Sequence, residues 1–395
     1  MSSNIIGNEL GNGTKFKEMP NLCEEIDSRW EIDDVRQELG YLTESGLRYL
    51  KIDIANCYGL DKKSYQERID YVNQNTIEDL IQNEENAESI YEYRNAIEAY
   101  IEATELGKPV EHITYLDCTN QALQLYAVLT SCKDTAYLCN ISSGDELTDA
   151  YGELANAMNE LTGLDIFDRN NCKKALMTTL YGKMDGESEI IKYFLENGIV
   201  YDDKITDEEL KTTFQTAMRV IAPHAMRAMD VLQSLNHAEI DTYYWTMPDG
   251  FKVKYDVKST QKLDISCKTK SGVKFHFDRD VQIYKGSEFN RGMSPNVIHS
   301  VDGYVAREMI RRMTRPCAKF NRNYPAFITS IHDAFGTHPN NAEEMTYHYT
   351  NIMCELNESN LLQDIMSQIS GKNMLSIKKN TLTNDMIKAS IYKLS

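Results

Sequence analysis

Pro325-Ala-Phe-Ile-Thr-Ser-Ile-His-Asp-Ala-Phe-Gly336 is the stretch on which the fold turns. Its run Phe327 to Ile331 is short, apolar and β-branched, and it is followed by Gly336 and Pro339, so it reads as a buried strand ending at a loop. Asp333 then stands at a strand end, where an Asp serves either as a turn former or as a ligand. A second carboxylate shares this grammar. In His112-Ile-Thr-Tyr-Leu-Asp-Cys-Thr-Asn-Gln121 another short apolar run, Ile113 to Leu116, ends in Asp117, and a helix-like segment follows from Gln121. Between the two lies Asp168-Arg-Asn-Asn-Cys-Lys-Lys-Ala-Leu-Met-Thr-Thr-Leu-Tyr-Gly182. Its Arg169, Lys173, Met177 and Tyr181 are spaced four apart, and on a helix each such step turns the side chain by only about 40°, giving one slanting stripe. The alternative for this stripe is surface ion pairs around a core methionine. Two carboxylates at strand ends facing a cationic helix describe a site for phosphoryl transfer from a triphosphate.

Composition bounds the reading. A chain of 395 residues is long enough for two or three domains. No apolar run approaches the ~18 residues of a membrane span, and the Met1-Ser-Ser-Asn start lacks the apolar core of a signal peptide. The nine cysteines form no Cys-x-x-Cys pair, which suits buried thiols in a reducing cytosol better than bridges or structural zinc. A net charge of −18 argues against nucleic acid, but its distribution weakens the objection. Glu78 to Glu105 holds nine acids and only Arg94, whereas Lys252 to Lys285 holds nine Lys and Arg against four Asp. Such an acidic surface with a local basic channel fits a template-using enzyme, or a protein with a basic partner.

Along the chain, residues 1–45 read as a polar lead-in that docks on a partner. From Glu44 to Leu106 the pattern is helical, with Leu47, Leu50, Ile54, Ile90, Tyr93, Ile97 and Tyr100 on core-facing stripes. Further helices are predicted from Leu147 to Leu161 and from Tyr304 to Met313, the latter with Arg307, Arg311 and Arg312 on one side. From Phe251 the period becomes two: Val253, Tyr255, Val257, Leu263, Ile265 and Cys267 alternate with polar residues, and Val273, Phe275 and Phe277 answer them. This predicts one β-hairpin with a basic tip carrying Lys268 and Lys270, which either enters a groove of DNA or contacts phosphates without reading sequence.

Four motifs in order carry a resemblance: Asp117 with its following helix, Arg169-x3-Lys173-x7-Tyr181-Gly182, Ser294-Pro-Asn-Val-Ile-His-Ser-Val-Asp-Gly303, and His332-Asp-x-Phe-Gly336. Together they resemble the core motifs of the single-subunit RNA polymerases of phages and mitochondria. Gly46 to Glu67, with Leu50-Lys-Ile-x-x-Ala-Asn-Cys57, and Trp245-Thr-Met-Pro-Asp-Gly-Phe251 also look like the phage enzymes, so the similarity covers about residues 40 to 395. It implies an α+β fold with the palm and fingers of a right-hand polymerase: a helical palm insertion at 46–110, palm at 111–133 and 299–395, the latter ending in a helical tail, and fingers at 134–298 including the hairpin at 252–285.

The resemblance also implies roles. Asp117 and Asp333 would hold two magnesium ions about 3.5–4 Å apart, one acting on the RNA 3′-hydroxyl and one on the leaving pyrophosphate. Lys173 and Arg169 would clamp the triphosphate, with Lys173 also a proton donor to the leaving group. Met177, Tyr181 and Gly182 would line the substrate pocket, His299 would face the minor groove at the growing end, and Lys51 would reach the phosphates. His332 is either an outer support of the metal site or a buried residue beside the loop. DNA template, RNA product and nucleoside triphosphates are the implied partners.

Three rivals stand beside this reading. DNA polymerases of the same superfamily place a bulky Glu five residues after the first Asp, where this chain has Ala122. A non-catalytic, polymerase-like interaction subunit has no need of both Asp residues. A metal phosphohydrolase built on His332 and Asp333 lacks further ligands at helical spacing. The chain also departs from the family: it has only Arg29 and Arg36 before Gly46 and no Arg-Gly-Arg motif, while Leu125 and Ala334 replace a His and a Ser. The expectation is therefore the larger, catalytic chain of a split phage enzyme rather than a truncated one, with a smaller chain supplying the thumb and amino-terminal elements, in the cytoplasm of the infected host.

Overall fold

The computed structural model describes residues 36–395, apart from 184, 202, 238–239, 258 and 284–291. The lead-in expected at 1–45 therefore falls largely outside the described residues. A small antiparallel sheet organises the site: β1 (Thr114–Asp117), β6 (Ile328–Ile331) and β7 (Ala334–Thr337) lie in the order β1-β7-β6. Asp117 and Ile331 both stand opposite Ala334. The turn joining β6 to β7 is His332-Asp333, with His332 in the left-handed region at φ 55°. Two-residue hairpin turns demand such backbone in at least one of their central residues, and His adopts it more readily than most side chains. Asp117 is held from both sides, since its N–H donates to Ser395 O (3.2 Å), its C=O accepts from Ser395 N–H (2.9 Å), and Cys118 N–H donates to Asp333 O (3.3 Å).

The stretch 325–336 departs from its reading in two respects. Among the described residues its strand is an edge rather than a buried strand, with Phe327 and Ile331 each 57% exposed. Gly336 lies within β7, not in a loop. A Cβ there would come within 2.5 Å of the Tyr115 ring, so glycine is required by the close packing of β1 on β7 rather than by a turn.

Beneath the sheet, all nine residues of helix Gln121–Leu129 are buried. It packs against helices Met293–Met313 and Ala342–Glu358, and two of its polar side chains are paired at its centre: Tyr126 Oη with Ser294 Oγ (2.6 Å), and Gln124 Oε1 accepting from Tyr349 Oη (2.6 Å). A buried polar group left unpaired would cost about 1–3 kcal/mol, so these bonds permit polar side chains at the centre of the core. A second, smaller core joins helices Glu44–Ala55, Tyr65–Gln74, Ile77–Gln82 and Ile90–Thr104 through Leu50, Ile54, Val72, Leu80, Tyr93 and Ile97.

Three element boundaries differ from expectation. The helix expected from Leu147 starts at Ala150, because the Asp149 side chain caps it by accepting from Tyr151 N–H. The helix expected from Tyr304 starts at Met293 and contains both His299 and Gly303; Pro295 is tolerated because it lies in the first turn, where no intrahelical donor is lost. Its arginines are engaged, Arg307 with Asp249 and Arg311 and Arg312 with Glu308. The period-two run is two hairpins rather than one: β3 (Lys252–Asp256) pairs back to β2 (Thr242–Thr246), while β4 (Ser259–Lys268) pairs with β5 (Lys274–Ile283).

The approach to β6 is braced by a buried ion pair. The Arg322 Nε and Nη2 groups donate to the two Glu344 oxygens (2.7 and 2.6 Å), and the guanidinium also reaches Arg315 O and Tyr324 O. Cys317 and His348 lie close to the same carboxylate, which is already taken up by Arg322 and, at 3.1 Å, by His348. Glu344→Gln leaves the Arg322 charge buried and unpaired, so it is expected to lower unfolding free energy by about 3–5 kcal/mol, read as a shift in the denaturant midpoint. An unchanged midpoint would show that the pair does not brace this region.

Candidate active site

Helix Arg169–Leu180 begins where it does because Asp168 accepts from the N–H groups of Asn170 (2.8 Å) and Asn171 (2.9 Å), while Asn171 Oδ1 accepts from Asp168 N–H. Its buried face is Cys172, Ala175, Leu176, Thr179 and Leu180. The remaining stripe, Arg169, Lys173, Met177 and the C-terminal cap Tyr181, lines a cavity of about 220 Å³ together with Asp117 and Asp333. The structure thus brings together the two carboxylates and all four stripe residues. Ala122 lines the same cavity. Gly182, at φ 87°, ends the helix by the left-handed conformation that glycine adopts most readily.

The electrostatics follow from geometry. Burial raises the carboxyl of Asp117 to about 6, with the charge of Asp333 adding to the effect; Asp333 is raised as well, chiefly by burial. The Arg169 Nε donates to Asp149 Oδ2 at 2.8 Å, with the guanidinium over the Tyr151 ring. Tyr181 stacks on His299, ring centres 4.9 Å apart and planes within 10°. Burial, with Asp302 and Asp333 adding, pushes the Tyr181 hydroxyl up to about 12, and burial lowers His299. Tyr181 therefore keeps its proton, and His299 is held toward its neutral form.

Lys51 is not brought to the cavity. Its Nζ donates to Asn73 Oδ1 at 2.6 Å and lies 5.9 Å from the Tyr100 ring centre. Lys62 lines the cavity instead, and its charge works to lower Asp117. The chain reaches that position because Gly59, at φ 106°, breaks the helical run after Glu44–Ala55. His332 is exposed rather than buried beside the loop, and its charge acts to lower both Asp333 and Asp302.

Sequence reading also missed Asp302, a third carboxylate raised to about 6 by burial and by Asp333. The signal was available: Asp302 follows His299 by three residues, which on a helix is the same face. Lys62 had no comparable periodic signal, since it sits beyond the helix break. Lys268 and Lys270 are exposed at the far hairpin tip, with Lys274 opposite Lys268 in register.

A raised carboxylate opposes folding at neutral pH. For Asp117, with about 6 folded and an ordinary value of 3.8 unfolded, the penalty is full above pH 6 and vanishes as pH falls below about 4. Because Asp117 is open to the cavity solvent, screening reduces this to about 1 kcal/mol. Asp117→Asn should accordingly melt higher than the wild type at pH 7 in chelator, and equally at pH 4. A lower melting point at pH 7 would contradict this charge picture.

Asp117 at the end of β1 and Asp333 in the β6–β7 turn thus share one cavity with a helix stripe that carries two cations. The chain belongs to the DNA-dependent RNA polymerase family, whose model matches residues 40–394. It is 28% identical over 382 residues to the mitochondrial DNA-directed RNA polymerase 1 of Arabidopsis thaliana, covering 82% of this chain and 36% of the relative. It is 26% identical over 373 residues to the chloroplastic DNA-directed RNA polymerase 3 of Nicotiana sylvestris, with the same coverage. A shorter match, 33% over 148 residues, is to the mitochondrial RNA polymerase of Neurospora crassa, covering 34% of this chain and 10% of the relative. The chain spans about a third of the length of the plant relatives.

Proposed function

We propose that this chain carries the catalytic centre of a DNA-directed RNA polymerase and transfers nucleotides from ribonucleoside triphosphates to an RNA 3′-end on a DNA template. The observation that carries the proposal is the β1-β7-β6 register, which sets Asp117 beside the Asp333 turn across one cavity from Lys173 and Arg169.

The donor set fits divalent metal. Two raised carboxylates share a cavity with Asp61, and of the cations there Lys62 acts on Asp117 while Arg169 is already paired with Asp149. Hard oxygen ligands of this kind suit magnesium, which commonly bridges one or two carboxylates and substrate phosphates. Asp117 and Asp333 would hold two such ions, which when bound lower the pKa of the attacking hydroxyl and stabilise charge on the leaving pyrophosphate. Arg169 exchanges its contact with Asp149 for the triphosphate, Lys173 and Lys62 add charge along it, and Lys173 donates a proton to the leaving oxygen. Tyr181, stacked on His299, supports the incoming base. Ala122 leaves the ribose 2′-hydroxyl unobstructed, which favours this reading over a DNA polymerase.

In this reading, 111–133 and 299–395 form the palm, 46–110 its helical insertion and 134–298 the fingers. A smaller second chain supplies the thumb and amino-terminal elements of a split phage enzyme acting in the infected cell. The motif resemblance supports the phage setting.

The test is incorporation of ribonucleotides and deoxyribonucleotides on a primed single strand with magnesium. Ribonucleotide addition that depends on template sequence is expected. Preferential addition of deoxyribonucleotides would assign a DNA polymerase, and no addition even with a co-expressed partner would sink catalysis. For the hairpin, Lys268→Ser with Lys270→Ser is expected to weaken DNA binding and to reduce the slope of log K against log salt by about 1–2, roughly one unit for each phosphate that is no longer neutralised. An unchanged slope would place the tip away from DNA.

A further inference from the structure

Strand β6 pairs with β7 alone among the described residues, so one of its edges is open. Natural proteins blunt open edges with charges, prolines or bulges because unpaired backbone groups recruit other strands. Here Phe327-Ile-Thr-Ser-Ile331 carries no charge, and Phe327 and Ile331 are both more than half exposed. Since Ile331 and Ala334 close a two-residue turn, alternation along the ladder directs the N–H and C=O of Ser330 away from β7.

What the edge would accept is set by its neighbourhood. Ile331 lines a groove of about 840 Å³ whose other walls include Glu88, Glu92, Glu98, Glu102 and Glu111, and which extends to Asp117. No Lys or Arg lines it among the described residues. Left open, this acidic wall beside the catalytic carboxylates would repel the RNA and DNA phosphates that must approach them. An occupant must satisfy a strand edge, cover two apolar side chains and neutralise the carboxylates.

We infer that the outer edge of β6 and the adjoining acidic groove form one docking surface for an extended, basic segment of a partner polypeptide. The segment adds a strand beside β6, with apolar side chains meeting Phe327 and Ile331, and its Lys and Arg residues enter the groove. The inference deepens the proposed need for a second chain, while its test does not depend on catalysis.

The probe is a fluorescent ten-residue peptide of alternating Val and Arg, with a control of equal charge in which Pro replaces every second Val. Anisotropy titrations with the full chain, without nucleotides, should show the alternating peptide binding at least about tenfold tighter than the control, because proline cannot extend a ladder. Glu98→Lys with Glu102→Lys, both on the exposed side of their helix, should weaken it by at least about tenfold, the sum of several screened charge contacts. Ile331→Lys, which sets a like charge against the segment, should do the same. Equal binding of the two peptides, or no loss in either variant, overturns the inference. Self-association of the full chain that Ile331→Lys abolishes would assign the edge to a second copy and overturn it too. A protein that binds the peptide but adds no nucleotides contradicts only the proposed catalysis.

Discussion

Asp117→Asn and Asp333→Asn each reduce nucleotide addition by at least about three powers of ten, with the fold retained. The expectation rests on charge rather than shape: Asn keeps the volume and a carbonyl oxygen but cannot supply the anionic oxygen that a hard cation needs. Metal ions contribute several kcal/mol to charge stabilisation in such transition states, and about 4 kcal/mol corresponds to a thousandfold in rate. A merely structural role predicts a different pattern. Asp117 and Asp333 are both raised by burial, so removing either charge relieves the folded state instead of damaging it. The measurement is single-nucleotide extension of a primed template at saturating magnesium, beside melting curves of the same preparations. A variant that retains a substantial fraction of wild-type extension would remove that residue from the metal site. An Asp333 variant that is inactive but also unfolded would show only that the hairpin turn needs its carboxylate.

Tyr181→Phe keeps polymerisation but lowers the preference for ribonucleotides over deoxyribonucleotides by about one to two powers of ten. The ring carries the packing, since it stacks on His299 within 10°, and Phe preserves that stacking. What disappears is a hydroxyl that lines the cavity and, pushed up to about 12, retains its proton as a donor. A site that hydrogen-bonds a substrate hydroxyl rejects the analogue lacking it, because a buried polar group is then left unpaired at about 1–3 kcal/mol. Without the Tyr181 hydroxyl the deoxy analogue leaves nothing unpaired. The ratio of kcat/KM values for a ribonucleotide and its deoxy counterpart reads the effect. An unchanged ratio would assign sugar discrimination elsewhere, with His299 the first candidate by contact. A fall in both values together would mean that the hydroxyl supports the helix end rather than the sugar.

Much of the site was legible because its signals are local. Arg169, Lys173, Met177 and Tyr181 share a stripe by helical arithmetic alone, and the Asp168 cap starts the helix at the residue that puts Arg169 in its first turn. Asp117 ends a strand because an apolar run stops there and Asn120 caps the next helix, its side chain accepting from Leu123 N–H. Gly182 stops a helix for a reason internal to its own backbone. The basic tip, with Lys268 and Lys270, follows from period two and a turn.

Other features were not legible, because they depend on contacts between distant segments. Burial of β6 was inferred from its apolar letters, yet letters do not say whether a neighbour exists on the open side; the three-strand order leaves it an edge among the described residues. Gly336 reads as loop punctuation until Tyr115, more than two hundred residues earlier, is seen to lie across it. Lys51 lies on the amphipathic pattern and Lys62 beyond it, and only the backbone break at Gly59 lets the latter rather than the former reach the cavity. Asp302 joins Asp333 because helix Met293–Met313 runs unbroken past Gly303, packed beneath the sheet. The sequence by itself determined which residues can do the chemistry, since periodicity, caps and side-chain types are written within a few residues. Tertiary structure decided which of them meet and which surfaces stay open, since strand order and the burial of charge arise only when segments far apart in the chain pack together.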